Sequence, residues 1–246
     1  MRRRSAKVLA ALLAASCAPP ASGPVDPARY DQFFLWAGVP PPPAVAHAKV
    51  LYILGGEVRR GGPPRFVSLR AATPRGLRSA LWLTVRSERL DWDERTWEAA
   101  LRMLAQWHNA GNRVEGLQID FDAATSGLGR YAAFLREVRR RLPPRAKLSV
   151  TGLLDWSANG DPGALAALSG VVDEAVIQTY QGRSTIPGYA AYFRHIDMLP
   201  LRHKIALVEG GAWTPPPALA RDKRFAGYVV FLLRPPVRPV RAASLR

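Results

Sequence analysis

The chain has 246 residues, 48% of them hydrophobic, with 35 Lys and Arg against 19 Asp and Glu for a net charge of +16. A single cysteine excludes an internal disulfide, and no recognised nucleic-acid motif is present, so no nucleic-acid partner is expected. The charge is uneven: four cations lie in the first seven residues and four arginines in the last thirteen, which leaves +8 on the body between them. A basic body suits anionic lipid or acidic envelope polymers. An Arg-, Ala- and Pro-rich composition accounts for it equally well.

The ends read differently from the middle. Met1 to Lys7 is basic, Val8 to Ala15 is apolar, and Ser16-Cys17 follows, which is the order of an export signal. The apolar run is too short to span a bilayer. Cys17, directly after Ala14-Ala15-Ser16, resembles the lipobox of bacterial lipoproteins, although Ala14 stands where such boxes usually carry Leu. That resemblance implies a signal peptide over 1–16, a lipid on Cys17 and a place in the cell envelope facing the periplasm or exterior. Ala18 in place of an Asp after the cysteine favours the outer membrane. A plainly secreted chain with an incidental cysteine is the alternative. Residues 17–29 then read as the lipidated cysteine and a flexible tether. Residues 30–233 read as one domain, and 234–246, with four arginines and no acid, as a basic tail outside the core.

Within the body, apolar runs rich in β-branched and aromatic residues recur at Phe33–Trp36, Lys49–Leu54, Ser79–Val85, Val114–Asp120, Lys147–Gly152, Asp173–Thr179, Lys204–Val208 and Gly227–Leu232. A short run at Phe66–Leu69 is a strand extension or part of a loop. Helical patterns separate the later runs. Glu94–Asn109 carries Trp97, Ala100, Leu101, Leu104 and Trp107 on one face and stops at Gly111. Leu128–Leu142 has a similar stripe and ends before Pro143-Pro144. Asp161-Pro162 reads as an N-cap with proline at the first helical position, and Tyr189–Met198 and Pro216–Asp222 are weaker helical patterns. Continuous apolar strands alternating with helices predict a parallel sheet covered on both faces. Eight of them in about 200 residues predict a compact (β/α)8 TIM-like barrel whose first units are abbreviated. An open doubly wound sheet is the alternative, without the usual glycine-rich phosphate turn after its first strand.

The fourth run carries the chemistry. In Glu115-Gly-Leu-Gln-Ile-Asp-Phe-Asp122, alternation turns Gln118, Asp120 and Asp122 to one face and Leu117, Ile119 and Phe121 to the other. A row of Gln, Asp and Asp facing a barrel interior is costly to bury without partners. It is therefore either a site or a hydrogen-bonded structural network. Sites in such barrels sit at the C-terminal strand ends, where both carboxylates fall.

The segment is similar to the fourth-strand signature Asp-Gly-x-Asp-x-Asp-x-Glu of family-eighteen chitinase-like glycoside hydrolases. Gly116 and Asp120 match, while Glu115, Gln118 and Asp122 stand at its first Asp, second Asp and terminal Glu. The resemblance implies Asp122 as proton donor with its pKa raised by Asp120. It also implies that Asp120 and Tyr180 stabilise developing charge, Tyr180 lying in Gln178-Thr-Tyr-Gln181, which resembles that family's Met-x-Tyr-Asp segment. Asp122 is one methylene shorter than Glu, a ~1 Å shortfall of the kind that can cost ~100-fold in rate. Gln118-Ile-Asp-Phe-Asp-Ala123, Leu148 to Trp156 and Gln178 to Gly182 also resemble a family of exported bacterial barrel-like proteins, many of them lipoproteins. That likeness implies the fold and brings no activity with it.

Around the pair, Gln118, Gln178, Trp36, Trp156 and Glu209 are candidate substrate contacts. The two tryptophans either stack on a sugar or pack under a loop. Arg86 and Glu209 also fit plain surface or structural charges. The histidines lack zinc spacing and no serine-hydrolase elbow occurs, so neither metal nor cofactor is expected. The functional expectation is an envelope-anchored barrel that acts on or binds a glycan. The alternative is a non-catalytic carbohydrate-binding or envelope-assembly lipoprotein.

Overall fold

Each of the eight apolar runs forms a strand in the computed structural model, which describes residues 22–233. The expected signal peptide, Cys17 and the basic tail expected over 234–246 lie outside the described residues. The strands are β1 (Gln32–Leu35), β2 (Val50–Val58), β3 (Ala80–Ser87), β4 (Val114–Asp120), β5 (Lys147–Leu153), β6 (Glu174–Gln178), β7 (His203–Val208) and β8 (Phe225–Phe231). All pair in parallel with their neighbours, and β1 pairs with both β2 and β8, so the sheet closes. The fold is a TIM-like (β/α)8 barrel.

The connections are uneven, as the sequence predicts. A 3-10 turn at Pro43–His47 is all that separates β1 from β2, and β2 is followed by an antiparallel strand, Phe66–Ser68, instead of a helix. Among the described residues, α-helices appear only in the middle: α1 (Glu94–Asn109) and α2 (Leu128–Arg141), then the single turn α3 (Trp156–Asn159) and α4 (Pro162–Ser169). Asp93 caps α1 by accepting from the Thr96 amide at 2.9 Å, and Asp161 caps α4 by accepting from Ala164 at 2.7 Å. The weaker helical patterns at Tyr189–Met198 and Pro217–Arg221 are 3-10.

Strand alternation divides the core. Leu117 and Ile119 of β4 join the large layer between strands and helices, together with Trp97, Leu104 and Trp107 of α1 and Tyr131, Leu135 and Val138 of α2. The opposite faces enclose a smaller interior cluster of Phe34, Tyr52, Trp82, Val176, Tyr180, Ala206, Val208 and Val229. Closure is thinnest at one point. β1 and β8 pair only through Phe33 with Val230 and Phe34 with Phe231, whereas β2 and β3 pair over eight positions.

Two local features bear on the boundaries of the sequence reading. The tether predicted over 17–29 gives way to ordered contacts before its end. Gly23–Pro24 pairs antiparallel with Ala212–Trp213, and Val25 is buried between the backbones of Gly210 and Gly211. A β-branched side chain in a Pro/Gly-rich stretch gains enough by burial to dock there. Gly116, the one glycine of β4, lies so close to β5 that a Cβ would sit 1.9 Å from the Lys147 carbonyl oxygen. Backbone cannot yield as a flexible side chain can. Gly116→Ala should therefore cost about 1–3 kcal/mol or more in a urea titration, and an unchanged midpoint would show that the two strands separate freely.

Candidate active site at the barrel mouth

The row Gln118, Asp120, Asp122 climbs the barrel interior, and each member meets a different environment. Gln118, lowest, is fully buried. Its Oε1 accepts from Thr84 Oγ1 at 2.9 Å and its Nε2 donates to Ser149 Oγ at 3.1 Å. Ser149 donates onward to Glu174 Oε1 at 3.2 Å. Glu174 also accepts from the Tyr52 hydroxyl and lies 3.2 Å from Lys204 Nζ, which in turn donates to the Tyr52 oxygen at 2.8 Å. Gln118 is thus a link in a satisfied polar layer beneath the mouth. The expectation of a substrate contact is corrected there, since both ends of its amide are already used.

Asp120 sits one pleat higher, at the last residue of β4, in register with Arg86 at the end of β3. Thr151 of β5 donates to its Oδ1 at 2.8 Å. Burial raises the Asp120 carboxyl above its ordinary pKa of 3.8; the Thr151 bond opposes this, the Asp122 charge reinforces it and Arg86 opposes it more weakly. Asp122 lies two residues beyond, past the strand, with its side chain exposed at the mouth. The raised carboxyl of Asp120 thus stands at the C-terminal end of β4.

Tyr180 follows β6 on a tight hairpin, Tyr180–Gln181 against Ser184–Thr185, turned by Gly182 at φ +59°. Burial first, then the charges of Asp120 and Asp122, hold its phenol well above 10, so it remains a neutral donor across the working range. Its ring lies 5.3 Å from that of Phe231. Phe231 in turn meets Trp36 at 5.4 Å.

These groups enclose a cavity of about 340 Å³. Trp36, Phe34, Tyr180 and Phe231 form an aromatic wall, and Arg86, Asp120, Asp122, Thr151 and Gln178 supply the polar side. A second cavity of about 490 Å³ adjoins it, sharing Asp122, Gln178, Tyr180 and Gln181. An apolar wall with a few convergent polar groups is the usual form of a ligand site. No cluster of three metal-ligating side chains occurs among the described residues.

Of the remaining candidates, Trp36 and Gln178 line the mouth, and Gln178 Nε2 donates to the Tyr180 carbonyl at 3.2 Å. Trp156 does not. It is buried, with Nε1 donating to the Ala123 carbonyl at 2.8 Å, and it packs the loop after β4 from below. Glu209 does not line either cavity; its Oε2 accepts from the Leu233 amide at 2.8 Å and holds the end of β8. Arg86, weighed in the sequence as a surface charge, lines the cavity, with its guanidinium 5.6 Å from the centre of the Trp36 ring. The signal for it lies in pairing register, which a single sequence does not display.

A solved structure shares this architecture. The xylanase and alpha-amylase inhibitor protein XAIP-II of Scadoxus multiflorus is 12% identical, with a TM-score of 0.50 over 82% of this chain and 92% of that one. The spore cortex-lytic enzyme SleL of Bacillus cereus is 16% identical with a TM-score of 0.49 over 72% of this chain, which spans half of SleL (50%). The chitinase domain of the spore coat protein CotE from Clostridium difficile is 13% identical with a TM-score of 0.49, over 84% of this chain and 71% of that one. At such identities the likeness concerns the fold alone. No curated protein matches the sequence. The segment 73–198 runs from before β3 to beyond β6, and so carries Arg86, Asp120, Asp122, Gln178 and Tyr180; it matches the family described as "Domain of unknown function (DUF3142)", and the chain belongs to that family.

Proposed function

We propose that the mouth binds a glycan and hydrolyses it, with Asp122 as proton donor and Asp120 and Tyr180 stabilising the charge that develops. The observation that carries this reading is the placement of Asp120. It is a carboxyl raised by burial at the C-terminal end of β4, with a second carboxylate beside it and an undissociated tyrosine on the same cavity. Asp120 lies in the enclosed position, and Asp122 faces the open side, where a leaving oxygen would lie. Tyr180 donates to the charge that develops on the substrate. The rings of Trp36 and Phe231 offer an apolar face to a sugar ring.

A second reading is favoured by Asp122 itself. It is one methylene shorter than the glutamate of the resembling signature and exposed, which suits a barrel that binds a glycan without cleaving it. Either activity would be held at the cell envelope by a lipid on Cys17, with an outer-membrane site preferred. Reducing-end release from a broad panel of β-1,4-linked glycans decides between the readings. Cleavage by the wild type supports the first, binding without cleavage leaves the second, and neither binding nor cleavage removes both. Radiolabelled palmitate on the wild type but not on Cys17→Ser tests the anchor.

A further inference from the structure

The positive charge of the barrel is unevenly placed along its axis. Because the eight strands run in parallel, the segments that lead into them gather at the end opposite the mouth. Arg75 and Arg78 lie before β3, Arg145 before β5, Arg202 before β7 and Lys223 before β8. All five are exposed, and none of their side chains has a salt-bridge or hydrogen-bond partner among the described residues. The carboxylates of this end are already taken. Asp31 pairs with Lys49 at 2.8 Å, Glu115 with Lys147 at 2.7 Å and Asp173 with Arg139, while Asp222 lies sealed against His203 at 3.1 Å. At the mouth both signs stand together, Arg86 and Arg183 with Asp120, Asp122, Asp161 and Glu209.

One apolar side chain joins this cationic rim. Met198 is 71% exposed, the only large hydrophobic so exposed among the described residues. It closes the 3-10 run Tyr189–Met198, four residues before Arg202. Arg224, next to Lys223, donates to the carbonyl of the adjoining Asp197 at 3.5 Å, which ties that run to the same end of the barrel. A lone exposed apolar residue is ordinary, but this one stands among unpaired cations. Those cations lie on the approaches to four strands spaced round the barrel, so a flat surface meets them together and a single thread of polymer does not. We propose that this end is a docking face for an anionic lipid bilayer. Its guanidinium and ammonium groups meet the phosphate headgroups, and Met198 enters the boundary between headgroups and acyl chains. The mouth then faces away from the lipid, whatever it binds, so the inference is independent of the glycan reading.

The test is co-sedimentation with vesicles of equal parts phosphatidylglycerol and phosphatidylcholine, against vesicles of phosphatidylcholine alone. The parent is the full chain with Cys17→Ser, so that no lipid anchor contributes. It should favour the anionic vesicles, less so as salt rises. Arg145→Gln, Arg202→Gln and Lys223→Gln together should weaken that binding about 100-fold, roughly fivefold for each cation. The same charge removed at the mouth end, by Arg60→Gln, Arg65→Gln and Arg183→Gln, should weaken it less than about threefold, since those groups lie beyond the reach of a screened surface. Met198→Ser should cost about fivefold on vesicles and nothing on soluble polyphosphate. The rim triple breaks no ion pair and should keep the parent's thermal midpoint; a clear fall would make these cations structural and overturn the inference. Equal loss from the two triples would reduce the effect to net charge and overturn it too. Tighter binding to polyphosphate than to vesicles, untouched by Met198→Ser, would give the face to an anionic polymer instead. A parent with no preference for anionic vesicles would end the proposal outright.

Discussion

Glu174→Ala should lower the unfolding free energy by about 3–5 kcal/mol, the usual cost of leaving one charge of a buried pair without its partner. Glu174 and Lys204 are 3.2 Å apart with side chains 7% and 8% exposed, so water cannot take the place of the lost partner. The damage would spread, because Glu174 accepts from both Tyr52 and Ser149, and Ser149 holds Gln118. Each donor left unsatisfied adds about 1–3 kcal/mol. A triple variant, Glu174→Leu with Lys204→Met and Tyr52→Phe, removes the charges and the orphaned hydroxyl together and should recover most of the loss. Urea titrations of the two proteins separate the cases. A single variant that loses under 1 kcal/mol would mean that the pair is solvated.

Asp122→Asn should reduce glycan turnover by about 10²–10⁴-fold, the span expected for loss of general acid catalysis, with binding retained. The pH dependence identifies the partner. Asp120 has a folded pKa above its unfolded value, so the native state holds the proton over a window in which the unfolded chain has released it. Its contribution to stability is thus fully present below the unfolded value and is lost as pH rises through the folded one. Asp120→Asn, permanently neutral, should melt higher than the wild type at neutral pH while its turnover collapses. Arg86→Ala removes a charge that opposes the Asp120 shift, and should move the alkaline limb of the rate profile upward. A limb that stays in place in Arg86→Ala would separate Asp120 from the reaction.

The strands were legible because burial on both faces leaves long apolar runs, and both periodicities in the Glu94–Asn109 and Leu128–Leu142 segments survive in the structure. Alternation also placed Gln118, Asp120 and Asp122 on the interior face. What alternation does not carry is depth. Whether an inward residue lies at the floor, in the mouth or outside depends on the stagger of eight strands, and that is set by pairing between segments far apart in the chain. Gln118 and Asp122 differ by four residues, yet one is sealed in a polar layer and the other is open to solvent. The same gap explains Trp156 and Glu209, each near a strand end but drawn into packing or backbone bonds. It also explains Arg86, which becomes a site residue only through its register with Asp120.

The thin pairing between β1 and β8 has a consequence for when the mouth comes into being. These strands come from opposite ends of the domain, so their contact closes the longest loop in the fold and gains the fewest ladder bonds for that entropy. Trp36 and Phe231, which face each other across this seam, share one wall of the cavity. The carboxylates, by contrast, sit on β4 and its following loop, within the stretch of the chain that has its own helices. The acid side of the mouth belongs to a locally assembled segment and the aromatic side to ring closure. A nascent or partly opened chain would thus keep its charges in place and have nothing to hold a sugar against them.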